Sequence, residues 1–169
     1  MNWPQAQPIE TPNLELEPLT QDHAAEMVGV LSSPNLYTFT GGEPPSLEEL
    51  TSRYARQSRG HSADETQGWL NWIIREKSSG QSIGYVQATL EGNEGEFIAD
   101  VAWVIGEPFQ GHGWAAEAAL GMVGWLLKQQ IRTVRANINP ENVASIRIAK
   151  RLEMHRTGER VDREEQWAI

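Results

Sequence analysis

The 169-residue chain contains no cysteine. That absence excludes disulfides, thiolate metal sites and cysteine nucleophiles. Histidine is sparse as well. His23, His61, His112 and His155 are scattered with no H-x-x-x-H spacing, so no zinc or other metal site is expected. No apolar run approaches the ~18 residues that suggest a membrane span. The opening MNWPQAQPIETP lacks a basic-then-apolar leader. A cytoplasmic protein without a membrane partner is the expectation. Positive charge is also short: 14 Lys and Arg stand against 23 Asp and Glu, a net charge of −9. Such a balance argues against a nucleic-acid partner. The shortage is uneven. Residues 1–52 hold eight acids and no Lys or Arg, whereas residues 128–169 hold nine basic and six acidic residues.

What the chain does have is concentrated in VAWVIGEPFQGHGWAA, residues 101–116. An apolar run ends at Ile105, a turn follows, and Gly111 and Gly113 bracket His112 before a helical pattern opens at Trp114, Ala115 and Ala116. Strand, glycine loop and helix N-terminus together make an anion cradle. Backbone N–H groups converge on one ligand, and the helix dipole adds positive potential. A dinucleotide fits this pattern poorly. Gly111, Gly113 and Ala116 match G-x-G-x-x-A, but that fingerprint wants an acid about 20 residues on. The following strand ends in Asn137 and Asn139, and only 53 residues remain after Ala116, too few for a doubly wound sheet.

The length suits one domain with a sizeable core, residues 1–169, preceded by a loose lead over residues 1–10. Alternation at Leu14 and Leu16 predicts a strand, and Thr20-Gln21-Asp22 can cap a helix from about His23 to Leu31. Ser46-Leu47-Glu48-Glu49 is a capping box for a second helix, to about Ser58. Residues 69–76 and 82–90 read as a hairpin, and 96–105 as a further strand. A helix is expected from Trp114 to about Gln129, with Glu117, Gly121, Gly124 and Lys128 on its open face. A strand over 133–139 follows, then a last helix capped by Asn139 with Pro140 at its first position. Gly158 starts a closing hairpin that turns at Asp162 to Glu165 and ends in a strand over 166–169. These elements predict a mixed, mostly antiparallel α/β (α+β) sheet.

Gln110-Gly111-His112-Gly113-Trp114-Ala115 matches Q/R-x-x-G-x-G/A. Asn139-Pro140-Glu141-Asn142-Val143-Ala144-Ser145 matches N-P-x-N-x-x-S, and the segment Thr11 to Thr20 is similar to T-x-R-L-x-L-R-P-L-T. With these motifs the chain resembles the GNAT superfamily of N-acetyltransferases, in its RimJ/RimL-like branch (ribosomal-protein N-terminal acetyltransferases). The resemblance spans nearly the whole chain. It departs at Asn13 and Glu17, where arginines are usual, at Glu153-Met154, where Gly-Phe is common, and at Ala149, where many relatives carry a tyrosine acid.

The resemblance implies the GNAT fold: six to seven strands flanked by about four helices, with a strand–glycine loop–helix cofactor site. It implies acetyl-CoA as co-substrate, held by Gln110, Gly111, His112, Gly113, Trp114, Ala115 and Ala116. The strand Trp103-Val104-Ile105 would pair with the pantetheine arm, and a Val104 N–H would polarise the thioester carbonyl. Asn142 and Ser145 would complete the site. Acetyl would pass directly to a primary amine: a protein N-terminus, an amino acid, a polyamine or an amino-bearing small molecule. The alternative is a CoA-binding sensor of the same fold without turnover. Direct transfer needs a proton acceptor for the amine and a donor for the thiolate. Asp100, or Glu96 on the same strand face, is the candidate base; Asp100 can equally bind a cationic acceptor or be a structural acid. Ser145 is the candidate donor, since Ala149 has no proton to give. In the resembled fold the acidic N-terminal third shapes the acceptor pocket, so a cationic acceptor is expected unless those acids are only a solvated face. The protein is expected as a monomer or homodimer.

Overall fold

The computed structural model describes residues 1–169. Eight strands form one sheet: β1 (Ile9–Glu10), β2 (Leu14–Pro18), β3 (Gly68–Glu76), β4 (Ser82–Glu91), β5 (Ile98–Ile105), β6 (Thr133–Ile138), β7 (His155–Val161) and β8 (Glu164–Ala168). Their order is β1-β2-β3-β4-β5-β6-β8-β7, one or two strands more than expected. Four α-helices cover it: α1 (Ala24–Val30), α2 (Leu47–Gln57), α3 (Trp114–Lys128) and α4 (Val143–Arg151). Neighbouring strands are antiparallel except β5 and β6. Those two are joined by the α3 crossover, as a parallel pair requires.

That parallel pair positions the site. β5 and β6 are in register only at Ile98↔Thr133, Ala99↔Val134 and Asp100↔Arg135. Beyond Asp100 the strands part, and β6 takes β8 on its other side from Arg135 to Ile138. The sheet is therefore split from Val101 upward. Alternation sorts the side chains on both lips. Ala99, Val101 and Ile105 join the larger apolar cluster with Met122, Leu126 and Ala149 of α3 and α4. Val104 packs against the cluster of Leu19, Met27, Leu50 and Ile73 under α1 and α2. The split thus opens to both faces of the sheet.

Local chemistry explains the helix limits. Ser46 accepts from the Glu49 N–H, and Glu49 accepts from the Ser46 N–H, so α2 starts at the expected capping box. The start of α4 differs from expectation. Asn139-Pro140-Glu141 forms a turn, closed by the Asn142 N–H on the Asn139 carbonyl. The cap is Asn142, whose Oδ1 accepts from the Ser145 N–H at 3.2 Å. α4 ends in a Schellman motif: the Met154 N–H bonds the Ala149 carbonyl and the Glu153 N–H bonds the Lys150 carbonyl. Glu153 takes the left-handed position, φ 63°, where glycine is favoured. The closing hairpin is also longer than expected, β7 starting at His155 and turning at Asp162-Arg163.

Residues 1–10 are docked rather than loose. Trp3 is buried and stacks on Phe97 at 5.1 Å. The Trp72 indole N–H donates to the Gln7 carbonyl at 2.8 Å. Residues 9–13 also cover the first half of the α3 face expected to be open, at Glu117 and Gly121, whereas Lys128 at its far end is exposed. Gly121 leaves room for Thr11 and Ile9, whose methyl groups would lie 2.9 and 3.5 Å from a Cβ placed there. Glu117 accepts from the Thr11 hydroxyl (2.6 Å), the Asn13 N–H (3.0 Å) and the Asn13 amide (2.8 Å). Burial pushes the Glu117 carboxyl up, but these donors outweigh it and hold the group below the usual carboxylate range.

Candidate active site

A cleft of about 310 Å³ occupies the split between β5 and β6, at the small end of ligand-pocket volumes. Val101 to Val104 form one lip and Ala136 to Asn139 the other. Asn142 and Ser145 of α4 close one side; Leu31, Tyr37, Arg53, Tyr85 and Gln87 close the opposite side, and Glu164 stands at the mouth.

The glycine loop lies just beyond the top of β5. Gln110 fastens it by donating its amide to the Ile105 carbonyl at 3.0 Å. Gly111 and Gly113 have φ of 89° and 77°, a left-handed conformation available to glycine without strain. The N–H groups of Gly111, His112, Gly113, Trp114, Ala115 and Ala116 make no hydrogen bond within the protein. A Cβ built on Gly111 or Gly113 would meet no atom within 4 Å. Open space in front of a run of free N–H groups at a 15-residue helix N-terminus suits a pyrophosphate. His112 is exposed and stacks on Trp114, ring centroids 4.4 Å apart, which places it beside the loop rather than among the reacting groups.

On β5 the expectation for Val104 is corrected. The Gly106 N–H bonds the Ile83 carbonyl, and Tyr85↔Val104 follows in the same register. Antiparallel alternation then directs the N–H and C=O of Val104 toward Tyr85. Those of Trp103 and Ile105 face the split. The Trp103 indole N–H donates to the Ser145 Oγ at 3.2 Å, which leaves the Ser145 hydroxyl proton free to be given elsewhere. Ala149 is fully buried in the core under α4 and does not reach the cleft.

The candidate bases read from the sequence lie elsewhere. Asp100 sits at the vertex of the split, below the cleft, in a two-point ion pair with Arg135 at 2.9 and 2.6 Å. Glu96 is exposed in the β4–β5 turn, below that vertex. Neither lines the cleft. The acid that does is Glu164. It lies one step beyond the Ile138↔Glu165 pair of β6 and β8, hence on the same face as Asn137. Burial, together with the nearby Asp162, raises its pKa above the ordinary 4.5. Asn137 beside it has a buried Oδ1 with no hydrogen-bond partner. Sequence reading missed Glu164 because it stands among several charged residues of the terminal hairpin. Only the pairing of β8 with β6 distinguishes it from Glu165, which faces the other way and pairs with Arg156 at 2.9 Å.

The eight acids of residues 1–52 do not shape the cleft. Glu10 pairs with Lys77 at 2.6 Å, and Glu17 and Glu26 share Arg75 at 2.7 and 2.8 Å. Glu49 serves its capping box. Glu15, Asp22, Glu43 and Glu48 are exposed. The electrostatic ground for a cationic acceptor is thereby removed. The charged side chains lining the cleft are Arg53 and Glu164.

Comparison with known proteins agrees with this fold. A family model described as acetyltransferase (GNAT) domain matches residues 13–155. The uncharacterized protein YkkB of Bacillus subtilis (strain 168) is 24% identical over 151 residues, covering 87% of this chain and 84% of YkkB. A GNAT-family acetyltransferase from Bacillus anthracis superposes with a TM-score of 0.78 at 15% identity, over 96% of this chain and 98% of that one. RimL, described as a ribosomal L7/L12 α-N-protein acetyltransferase in complex with coenzyme A, superposes with a TM-score of 0.75 at 15% identity, over 96% and 97%. No helix of the chain is long and apolar enough to cross a membrane.

Proposed function

The chain belongs to the GNAT acetyltransferase family and is an acyl-CoA-dependent N-acetyltransferase; from that premise we propose that it moves acetyl from acetyl-CoA directly to a primary amine in the β5–β6 cleft, with Glu164 as the base and Ser145 as the proton donor. The observation that carries this reading is the cleft itself. Its β5 lip leads through Ile105 toward the loop of free N–H groups, and a half-buried carboxylate of raised pKa, Glu164, lines it.

The cradle residues, Gly111 to Ala116, hold the pyrophosphate through backbone N–H groups. The Trp103 and Ile105 N–H groups at the split are available to the pantetheine arm and the thioester oxygen. Asn137 Oδ1 and Glu164 face the incoming ammonium. Glu164 takes one proton from it, directly or through a water. The neutral amine attacks the thioester carbon, a C–N bond forms, and the C–S bond breaks. Ser145, oriented by the Trp103 indole N–H, gives its hydroxyl proton to the departing sulfur and takes up the second proton that the new amide nitrogen sheds, so amide and thiol form neutral and Glu164 returns its proton to solvent. No nucleophile for a covalent acyl-enzyme lines the cleft in a position paired with a base, which supports direct transfer.

A thiol-release assay with acetyl-CoA and a panel of primary amines tests this reading. Steady release on at least one amine is expected. Glu164→Gln should bind CoA normally and lower kcat by about 10²–10⁴, the usual span for acid–base catalysis, with partial recovery at alkaline pH, where more amine is already neutral. Unchanged kcat in Glu164→Gln would remove Glu164 from the mechanism. CoA binding without release over the whole panel would favour a sensor of the same fold.

A further inference from the structure

The acceptor side of the cleft is lined unlike its mouth. Arg53, the first basic residue of the chain, projects from α2 into it and makes no hydrogen bond or ion pair. Glu49, one turn earlier, is occupied by its capping box. Beside Arg53 a chamber of about 40 Å³ continues the cleft; apolar side chains, Leu19 and Ile73 among them, form part of its wall, and Arg53, Tyr54, Gln57, Asn71, Tyr85 and Gln87 supply its polar groups. That volume exceeds the ~10–15 Å³ a single water needs, so a carboxylate-sized group fits. The Tyr54 hydroxyl is buried there with no partner. Burial holds the Tyr54 and Tyr85 phenols above their ordinary pKa, so both remain hydrogen donors. Asn71 and Gln87 are cross-strand partners on this face, with side-chain amides that make no hydrogen bond in the protein. No acid lines the chamber. A half-buried, unpaired guanidinium surrounded by neutral donors is an arrangement for an anion. At the mouth the polarity is reversed, since Glu164 and the Asn137 Oδ1 are acceptors.

We propose that Arg53 anchors a carboxylate on the acceptor, so that this enzyme's acceptor is an amine that also carries negative charge, a free amino acid or an acidic peptide. The amine reaches Glu164 and Asn137 while the anion lies against Arg53. The proposal deepens the acetyl-transfer reading above and rests on it. It reverses the cationic preference expected from the N-terminal acids.

The test compares charge at constant shape. ω-Amino acids from glycine to 6-aminohexanoate are assayed by thiol release beside their carboxamides, together with Ala-Asp-Ala amide beside Ala-Asn-Ala amide. At the best chain length the carboxylate should exceed its carboxamide at least tenfold in kcat/KM. A preference within the ω-amino acids alone identifies a small amino acid, and one within the peptides alone identifies an acidic peptide. Arg53→Met should bring the pair near parity, and Arg53→Lys should keep part of the preference. CoA affinity and the melting temperature report whether each variant is folded. Equal rates for carboxylate and carboxamide, a best substrate that is a diamine, or a preference that survives Arg53→Met would overturn the proposal. Absence of thiol release on every amine would instead overturn acetyl transfer. Calorimetric titration of 5-aminopentanoate and its carboxamide into the CoA complex then decides the present point. Arg53-dependent binding of the carboxylate sustains it, and its lack refutes it.

Discussion

Replacing Gly113 by alanine separates two properties that the glycine loop combines. Gly113 has φ 77°, and a Cβ there would meet no protein atom within 4 Å. No steric clash is therefore introduced, and the folded protein bears only the left-handed backbone cost, roughly 1–2 kcal/mol. For a domain of this size that corresponds to a fall in melting temperature of about 2–8 °C. Gly95, in the β4–β5 turn, is a matched control: its φ is 89° and its Cβ would also meet nothing. Gly95→Ala should lower the melting temperature by a similar amount. The two variants should differ toward CoA. Strain at Gly113 turns free N–H groups of the loop out of line, and the new methyl group occupies space beside them. Each charge-assisted hydrogen bond lost is worth about 1.5–3 kcal/mol. Losing two would weaken CoA binding about 10²–10⁴-fold, at 1.4 kcal/mol per tenfold. Isothermal titration with CoA, run beside thermal melts, measures both quantities. Wild-type CoA affinity in Gly113→Ala, or an equal loss in Gly95→Ala, would refute the backbone cradle.

Other substitutions test the remaining structural arguments. Asp100→Asn should leave kcat within a few-fold of wild type and cost only ~1 kcal/mol, because its partly exposed pair with Arg135 lies outside the cleft; a hundredfold fall in kcat would restore Asp100 as the base. The acid limb of kcat/KM should lie above the ordinary carboxylate range and vanish in Glu164→Gln, because burial and Asp162 raise the Glu164 pKa. Folded Glu164 binds its proton more readily than unfolded Glu164, so its contribution to stability should decline as pH rises from about the ordinary 4.5 through its raised value, as urea unfolding at several pH values would show. Glu117→Ala should cost about 2–4 kcal/mol, less than three full hydrogen bonds to a carboxylate because two of the three lie at the solvent-exposed Asn13 and the burial cost of the carboxylate is removed with it. Since the folded Glu117 pKa is lowered, that difference from wild type should be full above the unfolded carboxylate value and shrink as pH falls through the lowered one. Glu153→Gly should raise the melting temperature by relieving the left-handed φ of 63° at the end of α4; a lower melting temperature would count against that cap assignment.

The sequence by itself determined the elements whose signals are local. The strand–glycine loop–helix cradle, the Ser46 capping box, the β3–β4 hairpin and the fold class all depend on residues close in the chain, where spacing encodes geometry. The resemblance carried by its motifs also marked the cradle, Asn142 and Ser145, and the offset of three puts the last two on one side of the helix start. Tertiary structure decided the rest. Alternation along residues 96–105 puts Asp100 and Glu96 on a strand face with Val104, but β5 starts only at Ile98, and the point where it leaves β6 shows that the two acids lie at and below the vertex and that the cleft begins above it. The N-terminal acids looked like an acceptor surface because composition carries no direction; their pairing with Lys77 and Arg75 crosses more than forty residues of chain. The docked N-terminus and the buried face of α3 depend on Glu117 meeting Thr11 and Asn13 across more than a hundred residues. Arg53 and Glu164 are more than a hundred residues apart in the chain. Nothing local distinguishes either from its charged neighbours, and they become parts of one site only because α2 lies on the face of the split sheet to which β8 directs Glu164.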